Sequence, residues 1–299
     1  MSTPVLDAEV SVGPAPTVRN RQWMLLVSLT MRQWRARIGL AVFVLMVLIA
    51  IAGPLIAPHS PDQFVSSPNS PAGQNGLLFG SDALGRDVWT RFLYGGRTVL
   101  GMSVAATLIG VGLGVVLGLT AAYLSGAADE LIMRIADVFM AFPAIVLALL
   151  VVAALGPSVL LIIVIVGISH APRTARVIRG AAQQVVERDF IKAAEAVGEP
   201  RRRVIFGELL PNVTSPLLVE AGLRLTYSIG LIAGLNFIGD GLQPPISDWG
   251  VMINENRLSV TVQPWGVLLP VLAIALLTIG TNLLTDGFAR AAIGIDRGG

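Results

Sequence analysis

Val138 to Pro172, VFMAFPAIVLALLVVAALGPSVLLIIVIVGISHAP, runs for 35 residues without one Asp, Glu, Lys or Arg. As a single helix at 1.5 Å per residue it would be about 52 Å long. The hydrocarbon core of a bilayer is only about 30 Å thick. Near its middle stands Gly156-Pro157-Ser158, a turn signal. The stretch therefore reads as two membrane spans joined by a tight hairpin.

Other spans follow by the same count. Ile38 to Pro61 is free of charge, and so are the 31 residues from Thr98 to Ala128. A fifth span is expected from about Thr214 to Gly239, and a sixth over the charge-free Leu258 to Thr285. The chain as a whole agrees, with 54% hydrophobic and 13% charged residues and a mean hydropathy of +0.74. Soluble domains carry about 25% charged residues. The expected class is thus an all-α membrane protein of six transmembrane helices.

The basic residues supply an independent check. Arg19, Arg21, Arg32, Arg35 and Arg37 precede the first span, and eight more (Arg173, Arg176, Arg179, Arg188, Lys192, Arg201, Arg202, Arg203) lie in the loop 173–213. With Arg134, Arg290 and Arg297 they make 16 on one side, against Arg86, Arg91, Arg97 and Arg257, 4 on the other. Basic residues accumulate on the cytoplasmic side. Both termini and the 173–213 loop are therefore expected in the cytoplasm. Reading Val138–Pro172 as one span would send the eight-charge loop outside, so the hairpin is supported twice.

Several function classes drop out. The absence of Cys removes disulfides, thiol catalysis and Cys-based metal sites. The net charge of +2 reflects Arg, which outnumbers Lys 20 to 1, and in a membrane protein it reports orientation rather than nucleic-acid binding. The single Lys, Lys192, is not part of a Gly-x-x-x-x-Gly-Lys-Ser/Thr loop, so the chain has no nucleotide-binding P-loop. Ser169-His170 is no hydrolase pair, because neighbours on a helix point about 100° apart. Nor do internal repeats or paired buried acids suggest a transporter acting alone.

The ends and linking segments divide the chain further. Residues 1–20 read as a disordered tail. Residues 21–37 mix Trp23, Leu25, Leu26, Leu29 and Trp34 with Arg, which suits an interfacial amphipathic helix. Residues 38–97 hold the first span and an extracytoplasmic segment. Residues 98–290 form the transmembrane core with the cytoplasmic loop 173–213, and 291–299 a cytoplasmic tail.

Inside the basic loop, Thr174–Glu195 is composed for one helix, Gly198 and Pro200 turn the chain, and Arg201–Leu210 forms a second short helix that stops at Pro211. The product is a cytoplasmic knob whose small residues Ala193, Ala194 and Gly198 let another backbone approach closely.

Lys192-Ala-Ala-Glu-Ala-Val-Gly198, followed after ten residues by Leu209-Leu210-Pro211-Asn212, resembles the coupling loop of bacterial ABC-importer permeases. Gly80-Ser-Asp-Ala-Leu-Gly-Arg-Asp-Val88, Arg91-Phe-Leu-Tyr-Gly-Gly-Arg97, Leu235-Asn-Phe-Ile-Gly239, Gln243-Pro-Pro245, Asp248-Trp-Gly250, Pro264-Trp265 and Asn282-Leu-Leu-Thr-Asp-Gly287 are similar to segments of the C-type permease subunit in the dipeptide, oligopeptide and nickel transport family. The similarity covers about residues 25 to 296. One residue departs from it: Lys192 stands where the coupling motif has Glu. The resemblance implies a type I importer permease fold (MetI-like) in a bacterial inner membrane. It implies a B-type permease partner, two ABC ATPase subunits that bind ATP and Mg, an extracytoplasmic solute-binding protein, and di- or oligopeptides as the first choice of cargo, with nickel, glutathione-like and sugar-type solutes left open. The chain itself would hold no cofactor and contact membrane lipid but no nucleic acid. Lys192, Ala193, Ala194, Gly198, Glu199, Arg203, Leu210 and Pro211 would be the ATPase-coupling residues.

Three further features have candidate roles. Gly110, Gly114 and Gly118, four residues apart, suit a close helix-packing face. Glu220 and Arg224 are spaced for an ion pair within span five. Asp82, Arg86, Asp87 and Arg91 are expected to form an external charged cap beside a short helix, available for docking a partner or simply solvated.

Overall fold

The computed structural model describes residues 18–296; most of the tail expected over 1–20, and residues 297–299 of the tail expected over 291–299, lie outside the described residues. Ten helices of eight residues or more make up nearly all of it: α1 Val18–Arg32, α2 Trp34–Ile56, α3 Val88–Leu124, α4 Gly126–Met140, α5 Ala144–Leu155, α6 Val159–Val186, α7 Asp189–Ala196, α8 Thr214–Ile238, α9 Trp249–Asn256 and α10 Trp265–Asp296. Among the described residues there is no strand, only two isolated bridges, Phe64–Arg86 and Ser81–Asp87.

The hairpin lies where the sequence places it. α5 ends at Leu155, Gly156 turns with φ +84°, and the Ser158 hydroxyl accepts a hydrogen bond from the Leu161 amide to start α6. Five helices are individually long and apolar enough to cross a bilayer, and α4 and α5, taken together across a 79° bend, have the length and composition for a sixth. α5 alone has 12 residues, about 18 Å of helix, too short to cross. The break falls at Ala141–Pro143, since Pro143 has no amide hydrogen and disfavours helix at the residue before it.

The third span, expected within Val138–Pro172, takes in α4 from Gly126, because α5 alone is too short, and three further boundaries differ from expectation. α3 begins ten residues before the charge-free run, because Asp87 caps it: its carboxylate accepts from the amides of Trp89 and Thr90 and from the Thr90 hydroxyl. The sixth span starts at Trp265 rather than Leu258. The amphipathic helix expected over 21–37 is interrupted at Gln33, whose side chain instead donates to the Gly287 carbonyl and accepts from Arg290.

That bond brings the described N-terminal helix beside the C-terminal one. Gly222, near the start of α8, lies against Thr285 of α10. The Gln33 junction, the later part of α10 and the start of α8 thus share one end of the bundle. At the opposite end, Gln263 donates to the carbonyls of Ser70 and Phe79, and Asn256 accepts from the Ala83 amide. These bonds tie the 57–87 segment to the α9 region.

The glycine face packs as expected. A Cβ on Gly110 would lie 2.6 Å from the Gly167 carbonyl oxygen, and one on Gly118 2.5 Å from that of Ala175. Only glycine lets α3 and α6 approach so closely. Ser169 bonds back to the Val166 carbonyl while His170 pairs with Ser228, so the two side chains work apart.

The expected external charged cap is not a solvated loop. Arg91 is fully buried, Asp82 and Arg86 nearly so, and the helix beside them has 37 residues. Arg86 reaches Asp82 at 2.7 Å and Glu255 at 2.8 Å; Arg91 bonds Asp82 at 2.9 Å and also pairs with Glu255. Two cations and two anions make a compact neutral cluster joining the start of α3 to α9.

Beside it, Asp248 caps α9 through the amides of Gly250 and Val251 and accepts from Asn236. Burial pushes its carboxyl up to about 6, against the opposing effect of these hydrogen bonds. A carboxyl raised above its unfolded value of about 3.9 holds its proton more tightly when folded. Its contribution is therefore most favourable at low pH, is lost as pH rises from about 4 to about 6, and changes no further above. Asp248→Asn does not titrate, so its melting temperature should gain on the parent's across that window. A difference constant with pH would contradict this account.

Candidate coupling site

The 173–213 loop folds as two limbs around a corner. The helix expected over Thr174–Glu195 is divided: α6 continues through Pro172 to Val186, Arg188 is extended at ψ 147°, and α7 begins at Asp189. The break returns Ile191, 1% exposed, to the apolar core that already holds Val185. Asp189 in the first turn of α7 favours a helix start there through the helix dipole.

Gly198 makes the corner with φ +85°. The Gly198 amide donates to the Glu195 carbonyl and the Glu199 amide to that of Ala194, both at 3.0 Å. This paired pattern with a left-handed residue is a Schellman stop, for which glycine is favoured. After Pro200 the second limb runs through Arg201–Arg203, a π-helical stretch Val204–Leu209 and Leu210–Asn212. It passes Pro211, where the sequence suggested a stop, because Val213 is also buried and ends the limb against the core.

A continuous apolar seam holds the knob to the bundle. Ile191, Val204, Ile205, Leu209 and Val213 pack with Val115, Leu119 and Ala122 of α3 and with Ile178, Ala182 and Val185 of α6. Close-packed interiors transmit displacement, so a force on the knob acts directly on the α3–α6 pair.

The outward side is different. Lys192, Ala193, Gly198 and Arg203 are exposed, and Glu199 and Pro211 half-buried. Ala194 and Leu210 turn inward and pack against the seam. Lys192 stands 3.8 Å from Glu187, and Arg203 pairs with Glu199 at 3.2 Å. Exposed pairs of this kind contribute little to stability. Val197, 84% exposed at the tip, and the partly exposed Phe190 and Phe206 complete the outer surface. Sequence reading passed over these three, though an apolar residue beside the corner glycine of a charged loop was a usable signal. A surface of small, apolar and basic side chains can seat in a groove of another protein, but it has no catalytic constellation. Among the described residues no group of three His, Cys, Asp or Glu is placed to hold a metal.

Pro211→Ala should have a small effect, since Pro211 lies late in a limb whose path is set by buried neighbours. Co-purification of the ATPase partners that the resemblance implies, at near the parent level, is the expected result; complete loss would contradict the seam as what shapes the knob.

Residues 114–293 match the family described as binding-protein-dependent transport system inner membrane component. The chain belongs to this family. The match begins within α3 and takes in the knob and its seam. Residues 23–74 match the N-terminal transmembrane domain of oligopeptide transport permease C, so the permease is of the C type. The dipeptide transport system permease protein DppC of Alkalihalophilus pseudofirmus is 36% identical over 256 residues, 86% of this permease and 84% of that protein. The glutathione transport system permease protein GsiD of Escherichia coli is 37% identical over 263 residues, 87% and 86% of the two chains. A putative peptide transport system permease protein of Brucella suis is 35% identical over 289 residues, 96% and 95%. Among solved structures, the MetNI methionine ABC transporter in inward-facing conformations matches with a TM-score of 0.51 at 18% identity, covering 66% of this permease and 96% of that chain. That likeness concerns the fold, which the two share.

Proposed function

We propose that this permease is one of two that form the pathway of an ATP-driven importer of di- and oligopeptides in a bacterial inner membrane. The observation behind the cargo is that relatives matching more than four-fifths of their own length are named for dipeptide, peptide and glutathione systems; glutathione is itself a small peptide. A related B-type permease would complete the pathway. Two ABC ATPase subunits would bind ATP and Mg and dock on the 192–212 surface, and an extracytoplasmic binding protein would deliver the solute. The absence of a P-loop in this sequence supports that division of labour. The permease then acts as a transport subunit and not as an enzyme. Closure of the ATPase pair on ATP would push the knobs, and the apolar seam would carry the motion into α3 and α6, turning the pathway outward.

The experiment is a pull-down of tagged permease from its native membrane in mild detergent, followed by peptide uptake into liposomes holding the recovered complex. A P-loop ATPase, a second permease and ATP-dependent dipeptide uptake are expected. Recovery of the permease alone would overturn the partnership; an intact complex that moves no peptide would overturn the cargo.

A further inference from the structure

The broken span opens a cavity of about 320 Å³, within the range of small-molecule sites. Phe139, Phe142 and Ala144 line it from the break itself, His170 and Arg173 from α6, and Arg224 and Tyr227 from α8. Its two charged lining residues, Arg173 and Arg224, share one sign. Arg224 is 7% exposed, its Cζ lies 4.9 Å over the Tyr227 ring, and its Nε stands 2.9 Å from Glu220. The Nε–H is nevertheless not aligned on that carboxylate, so it is buried without a hydrogen-bond acceptor. Glu220 also accepts from Thr174 at 3.1 Å. Arg173 adds a second guanidinium; the next two arginines on α6, Arg176 and Arg179, are tied to Asp137 and Asp129, whereas Arg173 turns to the cavity. The third contribution is the start of α5. Its cap residue is Pro143, no side chain caps it, and Ala144 and Ile145 at its first turn line the same cavity. A helix start presents free amides and the positive end of the helix dipole. Discontinuous membrane helices use such ends to hold anionic solute groups. Glu220 neutralises one arginine, which leaves a net positive, partly apolar cavity beside the broken span.

We propose that this cavity is a subsite for the carboxylate of the translocated solute, with Arg173 and Arg224 as its charged ligands, the α5 amides as further donors, and Phe139, Phe142 and Tyr227 against the solute's apolar part. The inference rests on the peptide reading above. An anionic lipid headgroup has related chemistry, and the test separates the two.

The full complex with its binding protein is reconstituted in liposomes, and ATP-dependent uptake of a dipeptide is compared with that of its C-terminal amide. Arg173→Gln should reduce uptake of the free acid about tenfold, mostly in the apparent KM, as loss of a charge-assisted hydrogen bond does. The amide should change little, so the acid-to-amide ratio falls. Arg224→Lys, which keeps the partner of Glu220 charged, should shift the ratio the same way. Co-purification of the partner subunits shows that the variants assemble. An unchanged ratio in assembled Arg173→Gln complexes overturns the subsite. So does a loss that affects both peptides equally and appears in phosphatidylglycerol but not phosphatidylcholine vesicles, which would identify the bound anion as lipid. If the parent complex moves neither peptide, the peptide reading itself fails, a result distinct from an unchanged ratio.

Discussion

Gly198→Arg is expected to abolish coupled uptake while the permease still folds and inserts. Two effects meet at this corner, and a short series separates them. The backbone at φ +85° suits glycine, and another L-residue held there costs about 1–2 kcal/mol. The space around the position is open: a Cβ would meet nothing within 4 Å. A side chain added there clashes with no part of the chain and projects outward, toward whatever docks on the tip beside Val197. Asn tolerates the left-handed region best among non-glycine residues, so Gly198→Asn should retain most uptake. Gly198→Ala should show the backbone strain alone. Gly198→Arg adds bulk and charge and should lower ATPase co-purification at least about tenfold, the equivalent of ~1.4 kcal/mol of docking energy. Uptake in liposomes and the recovered ATPase should fall together. An Arg variant with parental uptake would show that the corner touches no partner and would remove the coupling assignment. An Ala variant as impaired as the Arg variant would place the effect in the fold of the loop.

Why was that corner legible when other features were not? Gly198 and the Gly156-Pro157 hairpin are local events. A left-handed residue or a missing amide constrains the chain whatever surrounds it, so the residue type announces the turn. The glycine row on α3 was legible for a related reason: a spacing of four puts small residues on one helix face. The start of α3 was hidden because counting charge-free residues assumes that a charge marks water. Arg91 is fully buried and balanced by Asp82 and by Glu255, 164 positions away along the chain, and no local pattern reports a partner so distant. The α4–α5 bend had its sign in Pro143, but a rule that asks only about charge passes over it. The break after Val186 is set by the need to bring Ile191 back to a core supplied by α3 and α6. The inward turn of Ala194 and Leu210 has the same cause. Sequence thus delivered the spans, the knob and its corner. Which side of the knob faces outward, and which is fastened, depends on long-range packing.

The buried cluster gives the second large expected effect, and its sign depends on what is removed with what. Arg91→Met should destabilise the protein by about 3–5 kcal/mol, because it leaves Asp82 and Glu255 sharing one arginine in a dry environment. In mild detergent this should appear as a large drop in melting temperature and loss of the monodisperse peak in size-exclusion chromatography. Arg91→Lys should fare clearly better, since one nitrogen of Arg91, Nη1, makes both contacts and a single ammonium keeps that charge between the two carboxylates. The cluster is also incompletely bonded: Nε and one terminal nitrogen of Arg91, and one oxygen of Glu255, are buried without partners. Removing charge in matched pairs therefore sacrifices less than the geometry suggests. Arg91→Met combined with Glu255→Gln leaves the Asp82–Arg86 pair neutral and should recover most of the lost stability. A double-mutant cycle would then give a coupling of the same order as the single-variant loss. A docking role for these charges predicts the opposite pattern, with normal melting in Arg91→Met and a transport defect that Glu255→Gln does not relieve. That outcome would overturn the assignment of the cluster to the fold. With Asp82 and Arg91 nearly inaccessible and their partners all within the chain, stability should be where the variants differ.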